Sequence, residues 1–274
     1  MGCELLAAFF IVFLIFLYGP TLTIAILSFQ GPTGGLTFPM RGVSLYWFRD
    51  LFQEQAVGDI WGAFRRSLVL GLMVMVTTVV VSVMGGLAFR KKFAGSSVLF
   101  YLIITALVIP SILISLGVGL IWSQSGLPVH WATSGFGAQL TWTLPFGLLI
   151  MFAVFNRFDR SYEEAARDLG ASPWQTLRHV VVPIIAPSLI GVALFGFTLS
   201  YDEFARTLLT AGSRNTLPLE IFGMTTNVTT PVIFALGTLT TVFSFLVIAL
   251  FLAIVWISNR RRAAQGSDSG KGMI

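Results

Sequence analysis

Six stretches of this chain, residues 5–28, 67–89, 98–122, 138–155, 185–201 and 231–257, are apolar almost without interruption. A helix rises about 1.5 Å per residue, so about 20 such residues cross a hydrocarbon core ~30 Å thick. Backbone N–H and C=O groups find no water there, so only helices or closed barrels can span it. The runs are continuous rather than alternating, which argues against a barrel. The sequence therefore predicts an all-α integral membrane protein with about six spans. Charged residues are 11% of the total, against about 25% in soluble domains. The fifth run is the shortest and meets Tyr201-Asp202-Glu203, so its far end is open. The first is too long for a signal-peptide core and lacks a basic leader, and it is expected to remain as a span.

The net charge of +5 reads as topology rather than nucleic-acid binding, because the basic residues flank apolar runs. Arg90, Lys91, Lys92, Arg157, Arg160, Arg167, Arg178, Arg260, Arg261, Arg262 and Lys271 fall on one side, eleven in all. Arg41, Arg49, Arg65, Arg66, Arg206 and Arg214 fall on the other. The positive-inside rule makes the first side cytoplasmic, with both termini inside. The lone cysteine, Cys3, excludes an internal disulfide, and no Cys/His cluster suggests a metal site. Residues 1–262 read as one transmembrane domain, and the polar Gly/Ser-rich residues 263–274 as a disordered cytoplasmic tail. On the outer side, "VSLYWFRDLF" suggests an interfacial helix, with Tyr46 and Trp47 at headgroup level.

The longest cytoplasmic loop, 156–184, is polar and helix-forming inside an otherwise apolar chain. Ser161 with Glu164 has the spacing of a capping box, and Ser172 with Gln175 repeats it. Gly170 suits a left-handed helix end, and Pro173 suits a first helical position. Two short helices with a corner at Gly170 are expected, the second stopping at Pro183. Ala165 and Ala166 permit close approach, and Trp174, Leu177 and Val181 form an apolar stripe of the kind that lies in a groove. The same pattern would serve a connector packed on its own bundle.

"EAARDLGASPWQTLRHVVVP" resembles the EAA motif of the permease subunits of bacterial ABC importers. That motif runs Glu-Ala-Ala, three residues, Gly, nine residues, Ile, one residue, Leu, Pro. Glu164, Ala165, Ala166, Gly170 and Pro183 match it, with Val180 and Val182 in place of Ile and Leu. "SLYWFRDLF", "FTLSYDEFARTLLTAG" and "TLPLEIFGM" extend the resemblance over nearly the whole chain, to the spermidine/putrescine-type group, second-subunit branch. The resemblance implies a type I importer permease bundle whose cytoplasmic coupling helix docks on a separate ATPase dimer. Glu164, Ala165, Ala166, Gly170, Trp174, Leu177 and Pro183 would carry that contact. It also implies a second, homologous permease and an extracytoplasmic solute-binding protein. ATP and Mg would sit on the ATPase. This chain carries no Gly-x-x-x-x-Gly-Lys-Ser/Thr loop and is expected to bind no cofactor.

For the pathway, Asp202 and Glu203 are adjacent acids beside a span, and charge at membrane depth usually faces a cavity. They would attract a cation such as a polyamine. They could equally be hydrated, with Arg206 as a helical neighbour. Pro110, Ser111 and Ser115 in the third run, and Trp122 at its end, are further candidates, since Pro110 frees a backbone carbonyl. Trp122 and Trp142 also suit an interfacial belt. In polyamine members of the group an acid follows the third-span proline, whereas Ser111 follows Pro110 here. Amino-acid-like compounds, opines and phosphonates are therefore alternative solutes. An ion-driven carrier would not need the 164–183 loop.

Overall fold

A computed structural model describes residues 2–53, 58–91, 93–227 and 230–268. The helices are α1 (Gly2–Leu27), α2 (Tyr46–Asp50), α3 (Ile60–Phe89), α4 (Ser96–Val108), α5 (Ser111–Gln124) and α6 (Phe136–Arg157), followed by α7 (Ser161–Asp168), α8 (Pro173–Thr176), α9 (Val182–Tyr201), α10 (Leu217–Asn227) and α11 (Val232–Asp268). Wider π turns, Trp131–Gly135 and Leu177–Val181, lead into α6 and α9. Among the described residues five helical stretches are long and apolar enough to cross a membrane, or six if α4 and α5 count as one broken span. The fold is the all-α membrane bundle that the apolar runs predict.

The third run departs from a simple span. α4 and α5 meet at 109°. Pro110 has no N–H to donate, and its ring drives the preceding residue out of the helical region. Ile109 accordingly lies at φ −67°, ψ 128°, and Pro110 at φ −55°, ψ 131°. The fifth run also differs. Its helix starts at Pro173 rather than 185 and passes through Pro183. Val182 N–H donates to Leu177 O, one residue further back than in an α-helix. The wider turn sits where the Pro183 ring would press on the preceding turn. α11 continues through Asp268, beyond the expected start of the tail. Lys92, Lys271 and the tail residues 269–274 lie outside the described residues.

The chain packs as two compact units, Met1–Ile60 with Glu220–Val247, and Trp61–Leu219 with Ile248–Ile274. In the first unit the segment after α1 folds around buried Gln30. Its side chain donates to Gly35 O at 3.2 Å and accepts from Arg41 N at 2.7 Å. Trp47 is buried and donates to Gly31 O at 3.3 Å, so it is a loop anchor rather than a headgroup residue. Exposed Tyr46 stacks edge-on against it at 4.9 Å.

The second unit holds both candidate sites. Lipid is as apolar as a leucine, so helices in a membrane associate through close packing and interhelical hydrogen bonds rather than apolar burial. Small residues serve that purpose here. A Cβ on Gly147 of α6 would run into Ser82 Oγ of α3. One on Gly196 of α9 would lie 3.2 Å from Met75 Cα. Thr78 Oγ1 donates to Thr143 Oγ1 at 2.9 Å between α3 and α6, and Gln139 pairs with Ser200 between α6 and α9. Met151, Phe155, Val181, Ile185 and Val192 form a buried cluster at one end of these helices.

Candidate functional site

The loop between α6 and α9 is built from backbone requirements. α6 ends at extended Phe158 (φ −75°, ψ 124°). Asp159 Oδ1 then accepts from Ser161 N at 2.9 Å. That backbone N–H, with a smaller contribution from the Ser161 hydroxyl, holds the Asp159 carboxyl below its ordinary pKa. Asp159 therefore takes the capping role that the sequence gives to Ser161, and Arg160 stands at the N-cap with no side-chain bond. Ser161 and Glu164 form no box; Glu163 N and Glu164 N both donate to Arg160 O, and the two carboxylates sit at the positive end of the helix dipole.

α7 closes as the glycine predicts. Gly170 has φ +83°, with Gly170 N donating to Arg167 O at 2.8 Å and Ala171 N to Ala166 O at 3.0 Å. Both belong to the helix-ending arrangement that glycine favours. The second capping box is complete, with Gln175 N on Ser172 Oγ at 3.3 Å and Ser172 N on Gln175 Oε1 at 2.8 Å. The corner presents Leu169 (90% exposed) and Trp174 (66%) outward. Glu164 and Ala165 are exposed, Ala166 is half-buried, and Pro183 is exposed within α9. The expected stripe divides. Leu177 and Val181 turn onto the chain's own Met151–Val192 cluster, and Trp174 alone faces out.

Behind the corner runs a groove of about 420 Å³ whose walls include Leu87, Lys91, Glu164, Arg167 and Thr176. Arg90, at the end of α3, crosses it. Its Nη1 donates to Glu163 Oε1 at 2.6 Å and its Nη2 to Oε2 at 3.1 Å. The guanidinium lies 5.4 Å from the centroids of both Phe155 and Phe158. Arg160 Nη2 donates to Arg90 O at 3.2 Å.

The second cluster lies at the other end of α9. Asp202 is exposed, whereas Glu203 is turned in and occupied by Arg206. Arg206 is 1% exposed. Its backbone N donates to Glu203 Oε1 at 2.9 Å and its Nη1 reaches Glu203 Oε2 at 3.4 Å. Nη1 also donates to Ser111 Oγ at 2.8 Å and Nε to Thr141 Oγ1 at 3.3 Å. The guanidinium stands 4.5 Å over the Trp142 ring, which is thus a cation–π partner. Nη2 is buried with no hydrogen-bond partner. Ser115, fully buried, donates to Arg206 O at 2.9 Å and accepts from Leu209 N at 3.0 Å. A Cβ on Gly119 would lie 2.7 Å from Leu209 O. Ser111, Ser115 and Gly119 thus share the face of α5 on which the 202–212 segment lies. Pro110 is exposed, and half-buried Trp122 lies beside Gly137 at the start of α6.

Residues 78–262 match the binding-protein-dependent transport system inner membrane component family. The chain belongs to that family. Its matched part contains the whole corner and the Arg206 cluster. The chain is 27% identical over 254 residues to the spermidine/putrescine transport system permease protein PotC of Haemophilus influenzae, covering 92% of this chain and 96% of that protein. It is 28% identical over 232 residues to the putrescine transport system permease protein PotI of Escherichia coli, covering 82% and 81%. Among solved structures, a bacterial ABC transporter involved in import of the acidic polysaccharide alginate aligns with TM-score 0.69 and 16% identity, over 93% of this chain and 95% of that one. The MetNI methionine ABC transporter aligns with TM-score 0.55 and 18% identity, over 73% and 94%. These likenesses establish the importer-permease fold.

One residue of this permease component escaped the sequence reading and a second was read only in part. Arg90 counted only toward topology, although its place at the end of a span, beside a loop with two adjacent acids, is a usable signal. Arg206 stood as a helical neighbour of the acids, while its bonds to Ser111 and Thr141 join residues far apart in the chain.

Proposed function

We propose that this permease subunit forms half of the translocation pathway of an ATP-driven importer for a small cationic solute such as putrescine or spermidine. The outward-facing Leu169–Trp174 corner on its Gly170 turn carries the reading, because such a surface has no use within the chain itself. A cytosolic ATPase dimer would hold ATP and Mg and receive this corner, so the 156–184 loop and both termini are cytoplasmic in this reading. ATP-driven closure would then rock the bundle between inward- and outward-open states, as alternating access requires. A second permease would complete the pathway, and an extracytoplasmic binding protein would deliver the solute. The polyamine assignment draws on the PotC and PotI relatives.

The test is uptake of labelled putrescine and spermidine by cells lacking the chain, cells with it restored, and cells carrying Gly170→Asp. Restored uptake that fails in the variant, with the variant chain present in the membrane, supports both assignments. Unchanged uptake in the deletion strain, where no redundant importer exists, removes the polyamine assignment.

One observation favours a second solute class. Arg206 already engages Glu203 and Trp142, the groups suited to a cation. An amino-acid-like compound, opine or phosphonate would offer an acidic group for the guanidinium instead. Uptake of a labelled amino-acid mixture and of 2-aminoethylphosphonate in the same three strains decides between them.

A further inference from the structure

We propose that Arg90 is the positioning residue through which the Gly170 corner moves α3, an inference that rests on the ABC-importer reading above. α7 is joined covalently to α6 and, through the corner, to α9. It has no such link to α3, whose end lies 73 residues from Glu163 in sequence. A displacement applied at the corner therefore reaches α6 and α9 along the chain, but reaches α3 only through contacts.

Arg90 makes that contact stiff. Two parallel bonds to one carboxylate fix orientation as well as distance. The pair is 12% and 13% exposed, so solvent screens it far less than a surface pair. Phe155 and Phe158, from the last turn of α6 and its cap, flank the guanidinium. Arg160 holds the Arg90 carbonyl, so both the backbone and the side chain of Arg90 are gripped by the segment 155–163. One turn earlier, a Cβ on Gly86 would come within 2.7 Å of the Phe155 ring, so α3 and α6 are in close contact here as well. The ends of α3 and α6 and the first turn of α7 thus make one block.

Glu163 and Glu164 of α7 then have separate tasks. Glu163 points inward to Arg90. Glu164 is exposed beside the groove, and its carboxylate makes no ion pair or hydrogen bond among the described residues. Lysine at position 90 would keep the charge and lose the fork, so the two parts of the role are separable.

The experiment uses the purified assembly with its ATPase and partner permease, with Arg90→Met, Arg90→Lys, Glu163→Gln and the exchanged pair Arg90→Glu/Glu163→Arg. ATP hydrolysis and putrescine uptake are measured in reconstituted vesicles. A nitroxide on Val81→Cys of α3, in a Cys3→Ser background, reports ATP-dependent change by electron paramagnetic resonance and needs no solute. For Arg90→Met and Glu163→Gln, uptake should fall tenfold or more while hydrolysis stays within twofold, and the nitroxide should lose its ATP response. Arg90→Lys should fall between, and the exchanged pair should recover at least half of the response. Hydrolysis and uptake falling together, or a nitroxide that still responds in Arg90→Met, overturns the proposal. If Arg90→Met does not assemble, Glu163→Gln and the exchanged pair decide. A wild-type assembly that takes up no putrescine removes the polyamine reading alone, and the nitroxide then decides on Arg90.

Discussion

Arg90 and Arg206 each meet a glutamate and an aromatic ring, yet the two pairs differ in construction. Arg90 donates both terminal nitrogens to Glu163, from which it is far removed in sequence. Arg206 has a single 3.4 Å side-chain contact with Glu203, three residues away, and spreads its other donors over Ser111 and Thr141. The first pair joins elements through two parallel bonds. The second is local, encloses its arginine more tightly than its glutamate, and keeps the buried Arg206 Nη2 unmatched. Identical side chains thus make a fastening in one place and a cluster of reserve bonding capacity in the other.

The sharpest way to break this contrast is at Glu203. Glu203→Gln removes the counter-charge of an enclosed guanidinium, which costs about 3–5 kcal/mol when the remaining charge stays buried. Arg206→Met leaves the less enclosed Glu203 carboxylate unpaired instead and should cost less. A thermal scan of the detergent-solubilised assembly checks the order; equal losses would mean that Arg206 is as well served as Arg90. At the other pair, Arg90→Met should cost about 1.5–3 kcal/mol, the value of hydrogen bonds to a charged group, in the same scan.

Smaller effects probe the corner that holds Glu163 in place. Gly170→Asp places a side chain at φ +83°, which costs about 1–2 kcal/mol, although nothing stands within 4 Å of its Cβ. Gly170→Asn should keep more uptake than Gly170→Asp, since asparagine is the usual substitute for glycine at a left-handed helix end. Ser172→Ala removes one half of the capping box and should cost about 1 kcal/mol, visible as faster amide exchange at Gln175. The least effect belongs to Asp159. Its folded pKa lies below its unfolded value, so its contribution is present above the ordinary carboxylate range and is lost as pH falls through the folded value. Protection of the Ser161 amide should fall only below about pH 4, and Asp159→Asn should flatten that dependence.

Much of this architecture was legible before any coordinates. Apolar length is a sufficient signal for spans, because a bilayer leaves the backbone no alternative. Ser172, Pro173 and Gly170 were equally readable, since each satisfies a requirement set within four residues of itself. Pro110 was visible, but apolar length is the same for a straight span and for one bent by 109°. Pro183 looked like a stop because its tolerance depends on the wider turn that precedes it. Ser161 looked like a cap because the competing acceptor, Asp159, lies just outside the motif. The Arg90–Glu163 bonds and the Arg206 bonds to Ser111 and Thr141 were out of reach for another reason: those partners are chosen by how helices pack, whereas the i,i+3 pairing of Glu203 with Arg206 was readable locally.

The helix that begins at Pro173 and ends at Tyr201 has 29 residues, with the wide turn inside it. At about 1.5 Å per residue it is a rod of about 43 Å. Trp174 stands at one tip and the Asp202–Arg206 cluster just past the other. A tilt of about 5° about its middle shifts each tip by about 2 Å, in opposite directions. That is enough to stretch the 3.3 Å Arg206–Thr141 bond to α6 beyond use. A nudge at the exposed tryptophan and a loosening of the enclosed arginine can therefore be one lever stroke, with no relay of side chains between them.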